Sequence, residues 1–175
     1  MFKKVSLLLT AALAFLLLAP LSASATPGYC GISWGSQEKS ATPTTSAELV
    51  NVRAGQQNCY DRLVLDFNGY VDGYTVFYTD EVHEDPTGEP VPLRGGAFLS
   101  VSVNGPAYNE RGEPTYHPAN RSELVNVTRF QTFRQVAWAG SFEGISTVGL
   151  GVRARLPFRV FTLPGRVVVD VAHFW

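Results

Sequence analysis

The chain has only two cysteines and three histidines among its 175 residues. The histidines stand far apart, at 83, 117 and 173, so no zinc signature of closely spaced Cys and His pairs exists. Positive charge is not in excess either. Setting Lys3 and Lys4 aside from the 14 basic residues leaves 12 against 15 acidic, a net charge near −3. Nucleic-acid binding rests largely on phosphate neutralisation by clustered Lys and Arg, and nothing here draws the chain to such a partner. One long apolar run occurs, Val5 to Leu18, and at 14 residues it is too short to span a bilayer comfortably. No later segment reads as membrane-spanning, and none sustains a helical apolar stripe for three turns.

The apolar run follows Lys3 and Lys4 and precedes Ala23-Ser24-Ala25, a small-x-small site. That order of basic, apolar and small residues reads as a secretory signal peptide over 1–25. Cleavage after Ala25 would leave 150 residues, Thr26 to Trp175, of a size for one domain with a real core. Pro27-Gly28-Tyr29 before Cys30 is no lipobox, so a lipid anchor is not expected. The mature protein is expected to be secreted, either free outside the cell or associated with the wall.

In an oxidising destination Cys30 and Cys59 can bridge, closing a loop of about 30 residues worth roughly 3–4 kcal/mol in the chain-entropy model. The bridge would staple a loose lead-in, 26–47, onto a β domain at 48–175. Two free thiols is the alternative.

From 48 onward a period of two dominates. Apolar or alternating runs at 48–53, 61–68, 74–79, 97–103, 134–139, 146–156, 158–162 and 166–173 are separated by Gly, Pro, Asn and Asp clusters. They predict an all-β, single-domain antiparallel sandwich or partly closed barrel. Residues 37–46, all Ser, Thr, Pro, Ala and charge or amide, read as solvated. The connections 80–96 and 104–121 are long for a compact domain, which marks them as mobile or functional.

Two hexads echo each other, "RLVLDF" at 62–67 and "RVVVDV" at 166–171. Within each, Arg and Asp share a strand face roughly 13 Å apart. Parallel pairing in register would set like charges side by side. Antiparallel pairing sets Arg62 opposite Asp170 and Asp66 opposite Arg166, and turns Leu63, Leu65, Val167 and Val169 to the other face. The alternative gives each hexad other neighbours. A further echo, "ELVNV" at 48–52 and 123–127, has almost no continuation at the same offset and is not a domain repeat.

"WGS" (34–36), "VRAGQQNCYDRLVLDF" (52–67), "VPLRGGAFLSV" (91–101) and "FRQVAWAGSFEGISTVGLGVRARLPFRVFTLPGRVVVDVAH" (133–173) resemble the AMIN-like domain of secreted actinobacterial proteins. The likeness implies kinship with β-rich envelope domains that localise cell-wall amidases and secretin-type proteins, some of which bind peptidoglycan. It implies no catalytic residues.

Candidate chemistry is sparse. "GISWG" (31–35) has the form of a nucleophile elbow, but a polar run follows it where the helix should be. Trp34 is expected to pack on the domain beside Cys30. The acidic turn of Asp80, Glu81, His83, Glu84, Asp85 and Glu89 could hold calcium, though it matches no EF-hand and reads equally as a solvated tip. No catalytic set, metal or cofactor is expected. In "GLGVRARLPFR" (149–159), Leu150, Val152, Ala154 and Leu156 alternate with Gly149, Gly151, Arg153 and Arg155. Arg153, Arg155 and Arg159 are therefore expected on a shallow shelf suited to carboxylates or phosphates of wall polymers. The competing reading pairs them with Glu143, Asp66 or Asp170. Tyr108, Tyr116 and His117 could stack on a glycan ring or contact a partner, or else fold back onto the domain.

The leading function is thus a non-catalytic envelope module binding peptidoglycan, another anionic wall polymer or an exported protein. Its rival is a hydrolase of wall or glycan substrates using paired carboxylates such as Glu143 and Asp170. A third reading, a carrier, would need a cavity between β layers.

Overall fold

A computed structural model describes residues 28–175; the predicted signal peptide lies outside them. After a 3-10 turn at Tyr29–Gly31, nine strands follow: β1 (Lys39–Ala41), β2 (Leu49–Gln56), β3 (Tyr60–Phe67), β4 (Tyr74–Thr79), β5 (Ala97–Val103), β6 (Phe133–Phe142), β7 (Ile145–Val152), β8 (Phe158–Leu163) and β9 (Arg166–Ala172). They build two antiparallel sheets, β1-β4-β5-β7-β6 and β2-β3-β9-β8. The sheets stack as a sandwich and do not close into a barrel.

Alternation drives this arrangement. Leu63 and Leu65 of β3, with Val167, Val169 and Val171 of β9, turn inward and meet Leu99, Val101, Val103, Val148 and Leu150 from the other sheet. All ten are fully buried. Near 25 cal/mol per Å² of apolar surface, each contributes roughly 1.5–3 kcal/mol.

The hexads pair as expected. β3 and β9 run antiparallel with Arg62 opposite Asp170 and Asp66 opposite Arg166. The disulfide joins Cys30 to Cys59, with their Cα atoms 6.4 Å apart. Of the "ELVNV" twins, the first enters β2 while the second lies outside any strand.

Three expectations need correction. Residues 37–46 are not wholly a solvated lead-in, because Lys39–Ala41 add to the edge of β4 as β1. Backbone hydrogen bonds do not require an apolar pattern, so the segment carries no period-two signature. The run 146–156 is not one strand: β7 stops at Val152, where Arg153 N–H turns to the Thr132 carbonyl (2.9 Å). Tyr78 Oη then holds the turned chain, accepting from Leu156 N–H (3.0 Å) and donating to its carbonyl (2.7 Å).

Third, the glycine side of β7 is no open shelf. The connection 80–96 lies across it as a strap. Asp85 N–H donates to the Ala139 carbonyl (2.8 Å), Arg94 N–H to Gln135 Oε1 (2.7 Å) and Gly96 N–H to the Val152 carbonyl (2.8 Å). A Cβ at Gly149 would sit 3.0 Å from Leu93 Cδ1, and one at Gly151 would collide with the Arg94 carbonyl. The glycines let a backbone pass. The connection 104–121 is likewise tied down, through Ala107 N–H to Ser141 Oγ (2.9 Å) and Thr115 Oγ1 to the Leu49 carbonyl (2.8 Å).

Candidate functional site

The register of the four-stranded sheet arranges its outward side chains in three rows. The first row reads Gly55, Arg62, Asp170, Arg159 across β2, β3, β9 and β8. The second reads Arg53, Val64, Val168, Phe161, and the third Asn51, Asp66, Arg166, Leu163. Charge thus occupies both outer rows, and Val64 and Val168 lie buried between them.

In the first row one carboxylate is clamped by two guanidiniums. Arg62 donates from Nε to Asp170 Oδ1 (2.7 Å) and from Nη2 to Oδ2 (2.9 Å), while Arg159 donates from Nε to Oδ2 (2.8 Å). The Asp170 side chain is fully buried, whereas Arg62 and Arg159 keep 27% and 32% of theirs exposed. Hydrogen bonding to Asp170 holds the Arg62 guanidinium above its ordinary pKa. Aromatic faces steady both arginines. Arg62 lies 5.2 Å from the Tyr60 ring and 5.4 Å from Phe161; Arg159 lies 5.0 Å from Phe161, 5.4 Å from Tyr60 and 5.6 Å from Trp34.

Trp34 is placed there by the disulfide-tethered turn, its indole N–H donating to the Tyr29 carbonyl (2.7 Å). The ring packs on the domain against Tyr60, 5.9 Å away between ring centroids. Ser33 is exposed with no helix after it, so the elbow pattern has no elbow.

At the other end Arg53 forks onto Asp66, Nε to Oδ2 (2.7 Å) and Nη2 to Oδ1 (3.0 Å), with Arg166 Nε 3.4 Å from Oδ1. Arg53 and Arg166 remain about half exposed, at 50% and 49%. Partial burial pushes the Asp66 carboxyl up, but Arg53, Asn51 and Arg166 together outweigh it and hold it below its ordinary value. Four guanidiniums against two carboxylates leave a local surplus of two positive charges. The guanidinium N–H groups that these bonds leave free, with the excess positive charge, suit a carboxylate- or phosphate-bearing chain.

Of the three arginines expected to act together, only Arg159 belongs to this face. Arg153 donates to the His173 carbonyl and stacks 5.7 Å from the Phe174 ring. Arg155 donates to the Ser36 carbonyl (3.4 Å) and lies over the Tyr78 ring at 4.7 Å. Both sit in the β7–β8 connection, where the chain turns out of the alternation that predicted them. Arg53, Arg62 and Arg166 were missed as binding candidates, although the hexad charges had already put Arg62 and Arg166 on strand faces.

The carboxylates proposed for hydrolysis do not face each other. Glu143 occupies the exposed β6–β7 turn of one sheet, with φ at 47°, and Asp170 is sealed beneath two arginines on the other. Within the acidic turn, Asp85 accepts from Thr147 Oγ1 (3.1 Å) and Glu84 pairs with Arg121. Among the described residues no group of three or more His, Cys, Asp or Glu is placed to hold a metal ion, and no helix is long and apolar enough to cross a membrane. Tyr108 and Tyr116 meet elsewhere, on the wall of a cavity formed by the connection 104–121.

Fold and face together define a two-sheet β domain whose four-stranded sheet carries four arginines and two aspartates on its outer side. The family model of the AMIN-like domain matches residues 47–173, and the chain belongs to that family. No curated protein and no solved structure matches the chain.

Proposed function

We propose that the protein is an exported, non-catalytic module that holds an anionic cell-envelope polymer against the outer face of its four-stranded sheet. One observation carries the reading: Arg53, Arg62, Arg159 and Arg166 share that face with only Asp66 and Asp170. Membership of the AMIN-like family is consistent with association with the cell wall. The basic, apolar and small order of residues 1–25 supports export to where such polymers lie. The internal carboxylates orient the guanidinium forks in advance, so a polymer charge meets donors that are already fixed.

The test is cosedimentation with insoluble cell-wall material, before and after its anionic polymers are extracted. Retention is expected to fall on extraction and with added salt, since exposed charges are screened over about 8 Å at physiological ionic strength. Arg53→Gln with Arg166→Gln changes only half-exposed side chains and is expected to fold and to lose retention. Arg62→Lys with Arg159→Lys keeps the charge and removes the forks, so it separates directional recognition from bulk attraction. Equal retention by the folded Gln variant would overturn the proposal.

A further inference from the structure

The connection 104–121 closes the side of the sandwich between the edge strands β6 and β2, and leaves a cavity of about 290 Å³. Tyr108, Tyr116, His117, Arg121, Trp138 and Ser141 are among its walls. We propose that this cavity is a binding site for a neutral saccharide unit, separate from the arginine face.

The wall chemistry leads there. Tyr116 and Trp138 stand 5.4 Å apart between ring centroids at 62°, which makes an aromatic corner instead of a filled stack. Trp138 retains only 9% of its surface, and Tyr116 is half-buried. Trp and Tyr carry a polar N–H or O–H at the edge of a large apolar ring, so one side chain can offer both a stacking face and a donor. The Trp138 indole N–H and the Tyr116 hydroxyl make no hydrogen bond to any described residue, and neither atom is sealed from solvent, so both can donate to a ligand in the cavity. Tyr108 Oη accepts from Gly144 N–H (3.0 Å) and has its own proton left to donate. Ser141 Oγ is taken up by Ala107 N–H (2.9 Å) and by Ser146 Oγ (3.1 Å). The cavity therefore offers apolar ring surface together with several unspent O–H and N–H donors, and the exposed His117 imidazole lies at its edge.

That combination matches a pyranose ring, which presents C–H surface on one side and hydroxyl oxygens around its rim. Charge selects the neutral form. Arg121, the cationic member of the wall, is paired with Glu84 and brings no net charge. The volume lies just under the roughly 300–1,000 Å³ of sites for drug-sized ligands, which is room for one ring and its substituents.

The experiment titrates chitotriose, cellotriose and maltotriose into the full mature chain while the indole N–H resonances of its three tryptophans are followed by NMR. Trp34 and Trp175 serve as internal controls. At least one of the sugars is expected to shift the Trp138 signal alone, with Kd on the order of 1 mM. Tyr116→Ala is expected to weaken binding about tenfold, equivalent to about 1.4 kcal/mol. Tyr116→Phe, which keeps the ring and fold, and His117→Ala at the exposed edge should each weaken it less. Binding should persist at high salt and in the Arg53→Gln, Arg166→Gln variant, so failure of the arginine face leaves this result unaffected. No Trp138 shift with any of the three sugars would overturn the proposal. So would an undiminished shift in the folded Tyr116 variants, or a Trp138 shift produced by aromatic peptides and not by sugars.

Discussion

Arg62 grips Asp170 with two parallel hydrogen bonds of 2.7 and 2.9 Å, across 108 residues of chain. The carboxylate has no exposed side-chain surface, yet a second guanidinium, Arg159, shares one of its oxygens. Removing the two kinds of partner should have unequal costs. Asp170→Asn leaves two cations that can each turn toward water, and is expected to cost about 1–3 kcal/mol. Arg62→Met with Arg159→Met leaves a buried carboxylate with no counter-charge, and is expected to cost about 3–5 kcal/mol. Urea unfolding of the two variants checks the order. A double arginine variant as stable as Asp170→Asn would mean the carboxylate gains water at little cost.

The same pair explains why this sheet was legible in sequence. A hexad that begins with Arg and ends its polar face with Asp is charge-reversed when read backwards, so only an antiparallel register satisfies two copies. Leu63, Leu65, Val167 and Val169 then had only the core to fill, and all four are buried. "GLGVRAR" misled for a physical reason. A bare glycine suits an open floor and a close backbone crossing equally, and one strand's sequence cannot say which. The strap over Gly149 and Gly151 comes from residues more than fifty positions earlier. Trp138 was hidden differently: it sits in a strand whose neighbours are all core, and only the connection 104–121 turns part of its ring into a cavity wall. The arginine face as a whole also escaped notice, because Arg53 joins it through a bulge between Leu49 and Asn51 that no periodicity reveals.

The strap supplies a direct test of that correction. Gly151→Ala would drive a methyl group into the Arg94 backbone, which cannot rotate away as a side chain can. Overpacking of this kind costs about 1–3 kcal/mol. Gly149→Ala meets only the tip of the Leu93 side chain at 3.0 Å, which can yield, so it should cost less. Thermal melts compare the two. On an open glycine shelf neither substitution would matter, and the difference between them would vanish.

Asp66 gives the protein a defined response to acid. Partial burial raises its carboxyl, but the hydrogen bonds and charge of Arg53, with Asn51 and Arg166, leave it below its ordinary value. The unfolded chain keeps that ordinary value, about 3.9, so between the two values the unfolded state binds a proton that the folded state refuses. The resulting stability is complete above the ordinary value and is lost as pH falls through the lowered one. Asp72, held down by Thr44 and Thr45, and Glu113, held down by Asn109 and Arg111, act in the same direction. The melting temperature is therefore expected to fall below about pH 4, and Asp66→Asn should flatten part of that fall. At neutral pH the same variant should lose at most about 1 kcal/mol, because Arg53 and Arg166 are half exposed and water already screens them. Melts across the acid range, with Asp72→Asn as a comparison, separate the contributions. An acid fall as steep in Asp66→Asn as in the parent would show that the Arg53 and Arg166 contacts do not persist in solution. The surplus positive charge at that end of the face would then lack the fixed orientation on which recognition of a polymer carboxylate or phosphate depends.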